Sequence, residues 1–184
     1  MLQFSVYQSR LSMKESYQKL LDLPKQTRDK NKKFITKLKN KKPKKLDDMF
    51  HEKHEEVFEE IDCMQCGNCC KTTSPIFREI DIKRIAKKLR MKEPNFIDSY
   101  LRIDGDGDYV LQSAPCPFLD EQDNTCGIYD FRPGACGEYP HTNRKNMHQI
   151  LDLTLENSFI CPAVSSIVTQ LEKASDMDRK YYKP

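Results

Sequence analysis

Four thiols fall within eight residues in the first half of this 184-residue chain. They are Cys63, Cys66, Cys69 and Cys70, spaced as Cys-x2-Cys-x2-Cys-Cys. Thiolate sulfur is a soft, strongly donating ligand, and short Cys-x2-Cys turns let one loop place several sulfurs around one metal. The spacing therefore predicts a metal site. Since neighbouring side chains point apart, we expect Cys69 and Cys70 to serve two metals, or one sulfur to bind while the other packs.

Four further cysteines follow one at a time: Cys116, Cys126, Cys136 and Cys161. The N-terminal residues lack the basic-then-apolar pattern of a secretory signal, so we expect a cytoplasmic protein whose thiols stay reduced. Eight reduced thiols suffice for two four-sulfur sites, or for one cluster with thiols in reserve, and the spacing leaves both open. We predict all eight cysteines as metal ligands.

The first three cysteines also bear on which metal binds. Cys63, Cys66 and Cys69 match the first three ligands of a bacterial ferredoxin run, without the local fourth cysteine and proline of that run. Cysteines that precede proline occur instead at Cys116 and Cys161. An all-sulfur ligand set suits zinc and iron–sulfur clusters equally. The ferredoxin-like triple and the Cys-Pro pairs favour iron slightly.

Charged residues make up 32% of the chain, and a mean hydropathy of −0.76 leaves little apolar material for a large core. Metal binding can supply folding free energy directly, so a small metal-stapled core suits this composition. We predict an α+β, mostly helical fold with an irregular cysteine-rich centre. We expect a charged helical extension over residues 1–60, a metal-binding domain over 61–176 and a tail over 177–184.

The hydrophobic pattern predicts several individual elements. Apolar residues at helical spacing indicate an amphipathic helix over 46–61 and another with Asp81 as its N-cap and an Ile80–Ile85 staple. Pro162 is expected at the first position of the last helix. Short strands are predicted over residues 109–112, 127–129 and 149–155.

Charge is divided sharply along the N-terminal extension. Residues 25–45 hold eleven Lys or Arg against one acid, and residues 46–62 hold eight acids against one base. Such runs can pair as helices, bind a partner or remain solvated. Phe34 is the only aromatic residue in the basic run, so a stacking platform for nucleic acid is lacking and nucleic acid is not favoured. No apolar run approaches the roughly 20 residues of a membrane span, so no membrane partner is expected.

Two further candidate sites are predicted to be structural. His51 and His54 stand three apart on a helix, a spacing that can bind a metal, but His54 falls on the apolar stripe and should pack. Residues 104–108 resemble the start of a calcium loop. Because Tyr109 and Pro115 replace its glycine and its twelfth-position glutamate, we expect a surface turn there.

Arg132 is the candidate cofactor-binding residue. It lies between Cys126 and Cys136 in the sequence. Its guanidinium could offset the negative charge of a thiolate cluster or bind an anion, and the alternative is a surface salt bridge.

Taken together, the cysteine motifs resemble those of a known family. The chain looks like the YkgJ-type CxxCxxCC cysteine-cluster family, whose domain is described as zinc- or iron-chelating. The resemblance covers about residues 61–162 and rests on these segments: Cys63–Cys70, Asp81–Leu101, Cys116–Leu119, Cys126–Cys136 and Tyr139-Pro140. Gly137 departs from the family, where relatives more usually carry a basic residue.

The resemblance implies metal binding and leaves open whether the chain is an enzyme. Most members have no assigned reaction, although flagellin N-methylase, a longer enzyme that methylates lysine, contains a similar cysteine-rich domain. We therefore expect a metal-binding protein with an iron–sulfur cluster or a zinc or iron ion. The alternatives are a protein-lysine N-methylase-like enzyme using S-adenosylmethionine, and a metal-stabilised adaptor whose basic N-terminal helix binds an acidic protein partner or nucleic acid.

Overall fold

The computed structural model describes Asp22 and residues 25–177. In chain order the helices are α1 (residues 25–41), α2 (Leu46–Glu60), α3 (Cys63–Cys66), α4 (Asn68–Thr72), α5 (Glu79–Lys88), α6 (Glu93–Tyr100), α7 (Gly134–Glu138), α8 (Leu151–Ser158) and α9 (Pro162–Met177). Strands β1 (Leu101–Ile103) and β2 (Tyr109–Leu111) form one antiparallel pair, and short 3-10 helices cover Tyr129–Phe131 and Met147–Gln149. The predicted α+β, mostly helical class is confirmed.

The described residues form two compact units. One contains residues 25–61 together with 140–177, and the other contains residues 62–139. The predicted boundaries between the extension, the metal-binding domain and the tail stay a prediction. Most of the expected tail, residues 177–184, lies outside the described residues. No helix in the described part of the chain is long and apolar enough to cross a membrane.

The core of the first unit is built from one apolar face on each of its long helices. Leu38 of α1, Phe50 of α2, and Val164 and Ile167 of α9 are fully buried. Burial at helical spacing is what the sequence periodicity of these segments predicts. The amphipathic helix expected over 46–61 is confirmed as α2, and Pro162 opens α9 as expected.

The two histidines of α2 have separate structural partners within this unit. Nδ1 of His54 lies 2.8 Å from the hydroxyl oxygen of Thr142, and its ring packs on Phe58 with 4.5 Å between centroids. Desolvation lowers the pKa of His54 below its ordinary value of 6.5. Nε2 of His51 lies 2.9 Å from the carbonyl oxygen of Arg144. The predicted packing role of His54 is confirmed.

Charged side chains of α1 and α2 connect to the C-terminal part of the same unit. Lys39 of α1 forms an ion pair of 2.7 Å with Asp152 of α8. The carboxylate of Asp47 accepts hydrogen bonds from the backbone N–H groups of Asn146 and Met147, at 2.7 and 2.8 Å. The basic run and the acidic run therefore each contribute at least one side chain that connects helices α1 and α2 to the C-terminal segments of the first unit.

The small sheet of the second unit pairs Leu101 with Leu111, and an isolated bridge from Phe77 to Tyr109 extends it. The strand predicted over 109–112 is confirmed as β2. The hairpin between β1 and β2 is the turn expected over 104–108, because Oδ1 of Asp104 accepts backbone N–H bonds from residues two and four positions later.

The other two strand predictions are wrong. Residues 127–129 contain no strand and lead into a 3-10 helix, and residues 149–155 lie mostly within α8. Alternation of leucines suggested a strand in the latter segment, yet Leu153 is 44% exposed while Leu151, Thr154 and Ser158 are buried. Buried residues that are three and four positions apart are typical of a helix. Tertiary packing therefore outweighed the strand-like alternation of the three leucines.

Phe96 of α6 is the centre of the apolar core in the second unit. It is fully buried, and its ring lies 5.3 Å from that of Tyr100 and 6.3 Å from those of Phe77 and Phe118. These rings bring together α6, the segment before α5 and the loop that follows Cys116. The core thus supports the segments that carry the cysteines.

Replacing Phe96 with Ala should lower the free energy of unfolding by about 3–5 kcal/mol, because it leaves a large cavity in a packed core. Ile103→Ala is the matched control, since Ile103 is 61% exposed and should change stability by less than about 0.5 kcal/mol. Urea denaturation followed by circular dichroism measures both. Similar losses in the two variants would contradict this account of the core.

Candidate metal centre

The Cys-x2-Cys-x2-Cys-Cys motif folds as two short helices joined at Gly67. Oδ1 of Asp62 accepts a 2.8 Å hydrogen bond from the Met64 N–H and so caps α3. Gly67 has φ of 58°, a left-handed conformation that ends α3 and begins α4. A Cβ at this position would also lie 2.9 Å from the Asn124 side chain. Position 67 therefore requires glycine, both because its φ is positive and because a side chain there would collide with Asn124.

Asn124 ties this motif to the loop that carries Cys126. Its Nδ2 donates a 2.9 Å hydrogen bond to the carbonyl oxygen of Gln65. The loop itself is closed by a Leu119–Cys126 bridge and by a 2.8 Å bond from the Gly127 N–H to the Phe118 carbonyl. Cys126 is thereby held beside the first cysteine group.

Cys116 is joined to the motif through the backbone. Its N–H donates a 2.8 Å hydrogen bond to the carbonyl oxygen of Cys70. A further 3.0 Å bond from the Leu119 N–H to the Cys116 carbonyl forms the turn that begins at Cys116-Pro117. Two cysteines that are 46 positions apart in the sequence are thus joined through their backbones.

The start of α5 differs from the sequence prediction. The helix begins at Glu79 with Arg78 as N-cap, and Asp81 occupies the third helical position. The Asp81 carboxylate accepts a 3.2 Å bond from the Arg78 backbone N–H, as the third residue of a capping box does. The predicted N-cap at Asp81 is wrong, and the predicted staple also fails, because Ile80 is 65% exposed.

Asp81 instead links α5 to the segment that carries Cys136. The residue is fully buried, and its Oδ1 accepts hydrogen bonds from the Gly134 N–H at 3.2 Å and from Arg84 Nη2 at 2.7 Å. Arg84 in turn donates to the carbonyl oxygen of Arg132 at 2.8 Å. These bonds fix the beginning of α7. The sequence signal for them is the pair of arginines three residues before and after Asp81, which our sequence reasoning missed.

Burial opposes ionisation of Asp81, but hydrogen bonds from the Arg78 and Gly134 backbone and from both arginine side chains outweigh it. The pKa of Asp81 is consequently held below its ordinary value of 3.8. A buried carboxylate with this many donors is stable as the anion.

The sulfur atoms of Cys69 and Cys70 are in contact, 4.0 Å apart. The hydrogen bond from the Cys69 side chain lowers the pKa of Cys70 to about 7, against desolvation and with help from the charge of Lys71. The expectation that these two neighbouring side chains point apart is therefore wrong, because their sulfur atoms are in contact.

Desolvation raises the pKa of five other thiols in the second unit, to about 11 for Cys116 and about 12 for Cys136. In every one of the five, the charge of Cys70 raises the pKa further. They are Cys63, Cys66, Cys116, Cys126 and Cys136. Seven of the eight cysteines lie in the second unit.

The donor set suits zinc or iron in its chemistry, because both metals accept thiolate sulfur. As the side chains stand, no three His, Cys, Asp or Glu residues in the described part of the chain are grouped closely enough to hold an ion. A cysteine sulfur moves with a single staggered torsion, whereas the backbone contacts above already join the segments. The thiols would therefore have to rotate about their Cα–Cβ bonds to surround one ion.

Cys161 belongs to the first unit. It is buried directly before Pro162, and its carbonyl oxygen accepts a 3.0 Å bond from the Ser165 N–H in the first turn of α9. This position agrees with the expected start of the last helix at Pro162. The assignment of Cys161 as a metal ligand stays a prediction, as does that of each of the other seven cysteines.

Arg132 lies over the ring of Tyr129, with 3.9 Å from its guanidinium carbon to the ring centroid. Its Nη1 also donates a 2.8 Å bond to the Tyr129 carbonyl oxygen. Although desolvation dominates and raises the pKa of Cys126 and Cys136, the charge of Arg132 acts in the opposite direction on both thiols. The guanidinium is thus held where it can offset thiolate charge.

We expect Asp81→Asn to lower the free energy of unfolding by about 1.5–3 kcal/mol at neutral pH, because charge-assisted hydrogen bonds are lost. Since folding lowers the pKa of Asp81, its contribution is complete above pH 3.8 and is lost as pH falls through the folded pKa. Denaturation at several pH values should therefore show the difference between wild type and variant shrinking in acid. Asp106→Asn, in the exposed hairpin, is the control, and an equal effect there would contradict the assignment.

A family model matches residues 62–156, which is just over half of the chain. The family is CxxCxxCC, described as "Putative zinc- or iron-chelating domain". No curated protein and no solved structure matches the chain significantly. The matched range begins at the residue that caps α3 and contains the seven grouped thiols. The chain therefore belongs to the CxxCxxCC family.

Proposed function

We propose that this protein binds zinc or iron through the cysteine thiolates of its second unit. The observation that carries the proposal is that hydrogen bonds join the segments of Cys116 and Cys126 to the motif of Cys63–Cys70, supported by the family's description as zinc- or iron-chelating. The thiolate set accepts either metal as an ion, or iron in an iron–sulfur cluster. The ferredoxin-like triple favours iron, and we place the protein in the cytoplasm, where thiols stay reduced.

The bound metal would supply cross-links between segments that are distant in the sequence. Cys63 to Cys70 would provide ligands from α3 and α4, Cys116 and Cys126 from the turns that follow the sheet, and Cys136 from α7. Arg132 would offset part of the thiolate charge. No observation of the described residues favours the methylase-like enzyme or the adaptor.

The first test measures zinc, iron and acid-labile sulfide in protein purified without oxygen. We expect stoichiometric metal in the wild type and its loss in Cys63→Ser/Cys66→Ser, because serine oxygen is a poor replacement for a thiolate. Gln65→Ser is the matched control in the same turn, since it removes no sulfur. If the double variant kept its metal content and its thermal stability, the proposal would fail.

A second test concerns Arg132. Arg132→Ala should weaken metal affinity by up to about fivefold, which corresponds to the roughly 1 kcal/mol that a partly exposed charge interaction supplies. Arg132→Lys should recover part of this loss because it keeps the positive charge. Competition titrations against a chromophoric chelator provide the affinities, and raised salt should reduce the difference between wild type and Arg132→Ala. Equal affinities for all three proteins would remove Arg132 from the site.

A further inference from the structure

Helix α7 carries Cys136 but has few stabilising features of its own. It has five residues, two of them glycine, and none of the five is buried. Pro133 is its N-cap, and no side chain of the cap accepts a hydrogen bond from the first turn. Helices this short are unstable in isolation, and glycine is a poor helix former. The conformation of the segment around Cys136 therefore depends on contacts from elsewhere in the second unit.

Asp81 supplies such a contact, because each of its two oxygens serves a different helix. Oδ2 accepts hydrogen bonds from the Arg78 backbone N–H at 3.2 Å and from Arg78 Nε at 3.3 Å, at the start of α5. Oδ1 accepts the N–H of Gly134, the first residue of α7, at 3.2 Å. A helix N-terminus requires acceptors for its first N–H groups, and Asp81 of α5 supplies one to α7.

Two arginines hold the same point of the chain. Nη2 of Arg84 donates to Oδ1 of Asp81 at 2.7 Å and to the carbonyl oxygen of Arg132 at 2.8 Å. The guanidinium of Arg78 lies over Gly134, where a Cβ would collide with it. The start of α7 is therefore fixed to α5 by hydrogen bonds on both sides of Pro133.

We infer, on the basis of the proposed metal binding with Cys136 as a ligand, that Asp81 is a positioning residue for the metal. It acts through the Gly134 N–H, which lies two residues before Cys136 in the sequence. The Cys136 N–H itself donates to the Pro133 carbonyl oxygen at 2.9 Å, so the thiol belongs to the same first turn. Four hydrogen bonds already occupy the Asp81 oxygens, so the carboxylate is not itself a ligand.

The effect of Asp81 on metal binding should be confined to Cys136. Residues that orient a ligand typically change metal affinity by about 10–100-fold when they are replaced. A ligand on a segment that is no longer held must also be ordered when the metal binds, which costs conformational entropy. Cys116, in contrast, is joined to the motif by its own backbone bond to Cys70. Loss of Asp81 should therefore weaken the contribution of one ligand and leave the others in place.

The experiment titrates the full-length, metal-free protein with Zn²⁺ in competition with a chromophoric chelator. We expect Asp81→Asn to weaken Zn²⁺ binding about tenfold. Glu79→Gln is the matched control, because it removes an exposed carboxylate from the same turn of α5 and should leave the affinity unchanged. In a Cys136→Ser background, Asp81→Asn should cause no further loss, since the ligand that it positions is already absent. A through-space charge effect would persist in that background.

A second variant keeps the test decisive if Asp81→Asn fails to fold. Arg84→Met retains a good helix former and the bonds between Asp81 and Arg78, but removes the donor to Asp81 Oδ1 and to the segment before α7. It should also weaken Zn²⁺ binding, and only while Cys136 is present. At saturating Co²⁺ the sulfur-to-cobalt absorption of Arg84→Met should equal that of the wild type and exceed that of Cys136→Ser, because its intensity increases with the number of bound thiolates.

The outcomes separate the role of Asp81 from the function on which it rests. Absence of metal in the wild type, both as purified and in the titration, would overturn both. Undiminished Zn²⁺ affinity in Cys136→Ser, an equal loss from Asp81→Asn with and without Cys136, or unchanged affinity in folded Asp81→Asn and Arg84→Met would overturn the positioning role. Those three results would leave metal binding itself intact.

Discussion

The buried carboxylate of Asp81 is the interaction on which the arrangement of the second unit depends. A charge removed from water is costly unless hydrogen bonds replace its hydration, and Asp81 receives them from Arg78, Arg84 and the Gly134 backbone. Arg78 is the N-cap of α5, Arg84 lies on α5, and Gly134 begins α7. The same carboxylate that shapes the beginning of a helix therefore also fixes the segment that brings Cys136 towards the other thiols.

Burial of the thiols in the second unit makes their ionisation costly in the absence of a cation. Desolvation raises the pKa of most of these sulfurs, so negative charge on them is poorly stabilised by the protein alone. A bound cation would supply that stabilisation and would link segments that are distant in the sequence. The family's description and the chemistry of the thiol donors thus indicate the same class of ligand.

Local patterns were predicted well where local chemistry decides the structure. The periodicity of α2, the opening of α9 at Pro162 and the packing of His54 all follow from spacing within one segment. Prediction failed where distant contacts decided. Residues 149–155 alternate like a strand but pack as a helix, and Asp81 looks like an N-cap because the sequence does not reveal its bond to Gly134.

The sequence by itself determined the type of chemistry, because the spacing from Cys63 to Cys70 and the matched family both depend on the order of residues alone. It also determined the helical class, since amphipathic periodicity is a local property. Only the tertiary structure decided that seven thiols share one unit while Cys161 lies in the other. Such grouping depends on hydrogen bonds and packing between residues far apart in the chain, and no local pattern encodes it.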